Sequence, residues 1–315
     1  MTRLGFVLLV IVMIFGVPPW VAGTEPQAAG APPISPLGKK AAQVIWTGKS
    51  GGFEIRWTTA DIQARPLNKP GRLVFSAARL ANRGFQTFIS PPNLDGSVKR
   101  VTYERKFTLL SVVGSIVSLK DELYYEITPS AHPGGETRFT TIDLAKSGEA
   151  VYVSPPEADL LELDLAKLGK VAQLTDYFPE KEVLKALLNN ASIKEVLGGE
   201  SPSSLAKLFK LLQDQRIEIN EIPYFFPRDF LTRFSFHHLQ VDKVAVLMGL
   251  PSASGAALGF HAELTLLLPI PAALKESLTL AASGKEGFLM EDRNNIAGEG
   301  VTLITFSSDR KRKVK

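Results

Sequence analysis

The spacing of apolar and polar residues changes period along the chain, and predicts strands first, helices in the middle, and strands again. Between residues 53 and 64, Phe53, Ile55 and Trp57 alternate with Glu54, Arg56 and Thr58, the pattern of an antiparallel strand with one wet face. Pro66, Asn68, Pro70 and Gly71 mark a turn region. Residues 73–88 fit a strand or a short helix equally, and Pro91, Pro92, Asn93, Asp95 and Gly96 close them. From residue 98 to 119, alternation at Val101, Tyr103, Arg105, Phe107 and Leu109 passes into an almost unbroken apolar run interrupted only by Gly114 and serines. That predicts one long strand buried on both faces in its second half, with Gly114 as a bulge. Lys120-Asp121-Glu122 reads as a compact turn, and residues 123–128 as the returning arm of a hairpin. Strands over 138–144 and 151–153 follow.

The middle of the chain carries helical periodicity. Pro179 suits a first turn, Glu180 and Glu182 sit near the positive helix end, and Val183, Leu184, Leu187 and Leu188 share a face before Asn189-Asn190. A second helix is predicted with Ser201 as cap, Pro202 in the first turn, and a stripe of Leu205, Leu208, Phe209 and Leu212. Strands return at about 231–239, 243–250 and 262–268, then a short helix over 271–280 ending near Gly284, and a strand over 301–306. The order implies an α+β fold, a mainly antiparallel sheet flanked by a few amphipathic helices.

The N-terminus adds an address. Thr2 and Arg3 precede an apolar run from residue 4 to 17, broken by Pro18-Pro19 and followed by the small-residue stretch Val21-Ala22-Gly23. This is a signal-peptide profile, and the expected cleavage follows Gly23. Residues 1–23 are the expected signal, 24–40 a flexible tether rich in Pro, Ala and Gly, 41–308 the folded body and 309–315 a basic tail. The expected location is periplasmic or extracellular, with membrane anchoring if the signal is retained.

Composition narrows the chemistry. There is no cysteine, which excludes disulfides, thiolate metal sites and a cysteine nucleophile. With 315 residues, of which 45% are hydrophobic, a packed core can supply the stability. The net charge of +4 is concentrated at the ends: setting aside Arg3, Arg310, Lys311, Arg312, Lys313 and Lys315 leaves 30 positive against 32 negative residues. A near-neutral body argues against nucleic acid as a partner, and leaves the tail or the signal segment as the expected membrane contacts.

A series of landmarks then appears in order. They are Ser111-Val112-Val113-Gly114-Ser115-Ile116-Val117-Ser118, then Tyr124-Tyr125-Glu126, Ala131-His132-Pro133 with Gly134-Gly135 after it, Phe139, Asp143-Leu144, Gly148 and Leu174-Thr175-Asp176-Tyr177-Phe178. Further on, residues 234–274 end in Leu266-Leu267-Leu268-Pro269-Ile270-Pro271. The series resembles the extracytoplasmic domain of RsiV-type lysozyme-sensing anti-sigma factors, also found beside secreted polysaccharide deacetylase domains. The resemblant region runs from about residue 98 to 282, with an insertion near 149–173 and the loop glycines following His132 rather than preceding it. With neither a sigma-binding segment before the export signal nor a deacetylase domain, the resemblance implies the accessory module alone. That module would recognise an envelope protein or cell-wall component without covalent chemistry.

Candidate site residues are few. His237 and His238, adjacent in a strand, are expected on opposite faces, too far apart to share an ion. His261 and Glu263 share a face, and His132 lies in a loop able to approach them, which frames the alternative of an envelope hydrolase with a His/Glu metal site. A simpler role for His132 is to bond backbone groups where strands part. No nucleophile elbow or phosphate-binding glycine loop appears, so no catalytic residue, metal or cofactor is assigned. Asp121, Glu122, Glu221 and Asp229 read as solvated charges. The stretch from Ile222 to Asp229 places Tyr224, Phe225 and Phe226 between Pro223 and Pro227, beside Arg228. Three consecutive rings cannot all enter one core, so these residues, with His132, are the candidate binding surface. The expectation is an exported, non-enzymatic binding or sensing module, with the hydrolase and a purely structural envelope protein as alternatives.

Overall fold

Strand alternation at the start of the body breaks at Thr58, whose hydroxyl accepts the N–H groups of Ala60 and Asp61 and turns the chain. The computed structural model of the chain describes residues 42–90, 98–129, 133–148, 169–213, 215–219, 222–251 and 261–309, all within a unit spanning residues 34–315. Four strands, β1 (Val44–Ser50), β2 (Phe53–Thr58), β3 (Ile62–Pro66) and β4 (Phe75–Ser76), pair antiparallel in sequence order. The ambiguous stretch that follows resolves as helix α1 (Ala77–Ile89). Ser76 caps it by accepting from the Arg79 N–H, and Leu80, Ala81 and Phe85 turn inward.

The central sheet is built on β5 (Arg100–Val113) and β6 (Ile116–Thr128), flanked by β7 (Gly134–Asp143) and by the last strand, β13 (Thr302–Asp309), in the order β13-β5-β6-β7. The hairpin turns at Gly114-Ser115, one turn earlier than the charge pattern suggested. Gly114 has φ +57°, a left-handed value that favours glycine. Lys120-Asp121-Glu122 is uninterrupted strand. Asp121 is buried because Arg105 needs it: Nε donates to Oδ1 at 2.7 Å and Nη2 bonds Oδ2, while Nη1 reaches the Tyr103 hydroxyl at 2.9 Å. Burial pushes the Asp121 carboxyl up, against the pull of Arg105. Its charge is therefore internal, not solvated.

Helices α2 (Glu180–Asn189), α3 (Ala191–Leu197) and α4 (Leu205–Leu212) follow, the last capped by Ser204 and not by Ser201. Asn190 ends α2 and caps α3, taking the N–H groups of Ser192 and Ile193. After a small hairpin of β8 (Arg216–Ile219) and β9 (Ile222–Phe225), strands β10 (Phe234–Gln240), β11 (Lys243–Pro251) and β12 (His261–Pro269) form a second antiparallel sheet. The short helices α5 (Lys275–Ala282) and α6 (Arg293–Ala297) lead to β13. The α+β expectation holds, with several antiparallel sheets in place of one. The strand foreseen over 151–153 lies outside the described residues. No helix among the described residues is long and apolar enough to cross a membrane.

The layers stack through the central sheet. On one face Phe107, Leu109, Val112, Val117 and Leu119 meet Ile55, Trp57, Ile62 and Leu80 from the first sheet and α1. On the other lies the β10–β12 sheet, whose far face, Phe236, Val246, Leu264 and Leu266, is covered by Val183, Leu187, Leu205 and Leu208 of the helices. Where the sheets meet, the serines of the apolar run find their use. Ser111 accepts from the Ser235 hydroxyl at 3.0 Å and the Phe236 N–H at 3.3 Å, and Thr141 donates to the Phe234 carbonyl. Ser111, Thr141 and Ser235 are fully buried. Because β10 is an edge strand, these backbone groups have no neighbouring strand, and the central sheet's hydroxyls satisfy them. Gly249 lets the sheets close up, since a Cβ there would lie 2.9 Å from the Phe139 ring. Removing one hydroxyl without changing side-chain volume should therefore strand a buried carbonyl. Thr141→Val is expected to lower unfolding free energy by about 1–3 kcal/mol in urea denaturation, while Thr47→Val, on the first sheet away from this seam, stays within about 0.5 kcal/mol.

Candidate functional site

The aromatic stretch is not a free loop. β9 pairs with β8, and this turns Tyr224 and Phe226 into the core, where they are 4% and 5% exposed. Phe226 meets Phe230 edge-on at 5.4 Å, and Phe230 meets Phe209 of α4 at 6.0 Å. Phe225 is 39% exposed and Arg228 is exposed, so these two present the outward surface. His132, the remaining candidate, lies outside the described residues, as does Glu221. Asp229, expected to be solvated, receives the Arg233 Nε at 2.8 Å, and Arg233 lies 3.7 Å from Glu136. Burial pushes the Asp229 carboxyl up, but Arg233 and Arg138 outweigh it and hold it below the usual carboxylate range.

The landmark motifs converge on one corner. Asp143 accepts from Ser115 Oγ at 2.7 Å, the Ala145 N–H at 2.9 Å and the Tyr177 hydroxyl at 3.0 Å. Asp176 pairs with Lys146 at 2.6 Å and takes the Gln173 N–H at 2.7 Å. Burial, with Asp143 beside it, pushes the Tyr177 phenol up, so it stays a donor. These contacts lock the β5–β6 turn, the end of β7 and the approach to α2 together.

Beside this corner is a cationic recess of about 170 Å³. Arg79 and Arg83, one helical turn apart on α1, line it with Arg72, Lys170, Ser76 and Gly148, and among the described residues no carboxylate does. Lys170 is nearly buried, its ammonium donating to the carbonyls of Leu144, at 2.9 Å, and Lys146. Burial pushes its pKa down, and Arg72 adds to the shift while Asp143 opposes it. Among the described residues no carboxylate bonds Arg72 or Arg79. The volume is similar to that of a cavity able to hold one benzene, about 150 Å³, and well below the roughly 300–1,000 Å³ of whole-ligand pockets. It suits an ionic head group attached to something larger. Sequence reading missed it because its cations come from separate segments.

The histidines require a correction. A bulge between Phe236 and His238 inserts one extra residue into β10, so His237 and His238 do not alternate across the strand. Their Nδ1 atoms face each other at 2.7 Å, and Gln240 Nε2 lies 3.0 Å from His238 Nε2. Glu291, from a 3-10 turn over Met290–Asp292, joins them, with the donor atoms of all three within 4.8 Å of one another. Burial pushes the His237 pKa down and His238 pushes it further, while Glu291 and Glu263 oppose. His237 is thus neutral at pH 7. Of the alternative zinc set, Glu263 is exposed on β12, the strand that begins at His261, and His132 is outside the described residues.

Two outcomes follow for the hairpin. Tyr224→Ala and Phe226→Ala should each cost about 3 kcal/mol of unfolding free energy, whereas Phe225→Ala stays within about 0.5 kcal/mol. The Asp229 contribution is present above the ordinary carboxylate pKa, about 3.9, and is lost as pH falls through the lower folded value. Asp229→Asn should therefore destabilise by about 2 kcal/mol at pH 6, less than for a fully buried pair, and show a shallower acid loss of the urea midpoint between roughly pH 5 and pH 2. Comparison of the chain with family models, curated proteins and solved structures returned no match.

Proposed function

We propose that the protein is an exported, non-enzymatic binding module that holds an anionic cell-wall component in the recess of Arg72, Arg79, Arg83 and Lys170. The observation that carries this reading is the convergence of four cationic side chains on one small cavity. Such a site holds a phosphate or carboxylate group by charge-assisted hydrogen bonds, and its size leaves the rest of the polymer outside. Export rests on the signal-peptide profile of residues 1–23. The resemblance to the RsiV-type extracytoplasmic domain supports the setting, because its landmarks Asp143-Leu144 and residues 174–178 build the corner beside the recess. Phe225 and Arg228 offer a second contact surface for a larger partner.

The test is calorimetric titration of the mature chain with a glycerol-phosphate polymer and with a neutral glycan of equal length. The phosphate polymer should bind, with affinity that falls as salt rises, and the neutral glycan should not. Arg72→Glu with Arg79→Glu should weaken binding roughly tenfold to a hundredfold, as expected for two lost charge-assisted bonds at an exposed rim, with the thermal midpoint unchanged. Equal binding by wild type and double variant, or equal binding of both polymers, removes the reading.

A further inference from the structure

The bulge in β10 is the starting point. An unbroken strand would separate His237 from His238, and the extra residue instead spends one ladder position to aim two imidazoles at each other. One proton lies in the hydrogen bond between the two Nδ1 atoms. With Gln240 donating to His238 Nε2, that proton sits on His238 Nδ1 and is given to His237 Nδ1. Turning the Gln240 amide over presents its oxygen, moves the His238 proton to Nε2 and leaves both Nδ1 lone pairs bare. Gln240 is therefore placed where an outer partner selects the tautomer of a metal-ligating histidine.

The carboxylate arrives on a firm support. Phe288 and Val112 exchange two backbone hydrogen bonds, at 2.9 and 3.0 Å, and Leu289 is fully buried. This pins the segment from which the Met290–Asp292 turn projects Glu291 beside the half-buried histidine rings. Two imidazoles and one carboxylate are the donors preferred by borderline divalent ions such as Zn²⁺, and three protein ligands leave a fourth position for water or a partner's group.

We propose that His237, His238 and Glu291 bind a divalent transition-metal ion of the zinc class, through the two facing Nδ1 atoms and a carboxylate oxygen, with Gln240 as the outer partner. At metal–nitrogen distances of about 2.0–2.1 Å, tetrahedral ligands stand about 3.3 Å apart, so the rings need to part by about 0.6 Å and to turn until both lone pairs point at the ion rather than at each other. That is a side-chain movement, and it replaces the hydrogen bond between them. The ion ties the β10 bulge to the turn before α6. The site shares no residue with the cationic recess and stands whether or not that recess binds an anion.

The untagged mature chain, stripped with chelator, is titrated with Zn²⁺ by calorimetry, and with Co²⁺ to read coordination from its visible absorption. One equivalent is expected to bind, with a Co²⁺ spectrum of low coordination number and a raised thermal midpoint. His238→Ala and Glu291→Gln should each weaken binding by roughly a hundredfold or more, and Gln240→Ala by roughly tenfold to a hundredfold. Glu291 is exposed, so Glu291→Gln leaves the metal-free thermal midpoint unchanged and separates loss of ligand from loss of fold. No zinc binding by the wild type, or equal binding and stabilisation in His238→Ala and Glu291→Gln, overturns the assignment.

Discussion

The architecture depends on satisfying the buried outer edge of β10. An edge strand presents unpaired N–H and C=O groups, and leaving one buried without a partner costs about 1–3 kcal/mol. Here that edge faces the central sheet, so Ser111 and Thr141 supply the bonds another strand would have made. This explains why β5 retains Ser111 in its apolar run and why β6 retains Ser118, whose hydroxyl lies 3.5 Å from that of Thr141. The hydroxyls fix the register between two sheets that apolar contact alone would leave free to slide, since packing without polar pairing specifies position weakly.

The features with chemical potential lie where regular geometry is interrupted. The recess opens where the end of β7, the segment before β4 and the start of α1 meet, so its cations can converge from different directions. The histidine pair depends on a strand whose period is broken once. In both places neighbouring anchors hold the irregularity: Asp143 and Lys170 at the first, the Phe288–Val112 backbone pair at the second. The aromatic hairpin shows the reverse. Its regular pairing commits Tyr224 and Phe226 to the core and leaves Phe225 outside.

Elements with their own complete pattern were legible in the sequence. The helix over 180–189 and the strands over 243–251 and 261–269 carry a single unbroken period and clear ends, and the α+β class follows from their order. Long-range pairing was not legible. Lys120-Asp121-Glu122 resembles a turn until Arg105 is known to lie across the hairpin, and Asp229 reads as solvated until Arg233 folds over it. Counting alternation at His237 and His238 assumed an unbroken strand, and nothing local announces a bulge there. The recess left no local signal, because Lys170 joins arginines from a segment about 90–100 residues earlier in the chain.

The final strand carries a temporal consequence. β13 pairs along β5, and its Thr302 hydroxyl reaches the Thr58 carbonyl at 2.5 Å while the Leu303 N–H bonds the Thr59 carbonyl at 3.1 Å. Residues 302–309 thus close both the central layer and its junction with the first. A nascent chain lacking them keeps the edge of β5 open, and pairings so distant in sequence form slowly. Completion of both layers therefore waits on the union of β13 with β5, which brings Thr302 to Phe107 across most of the described chain.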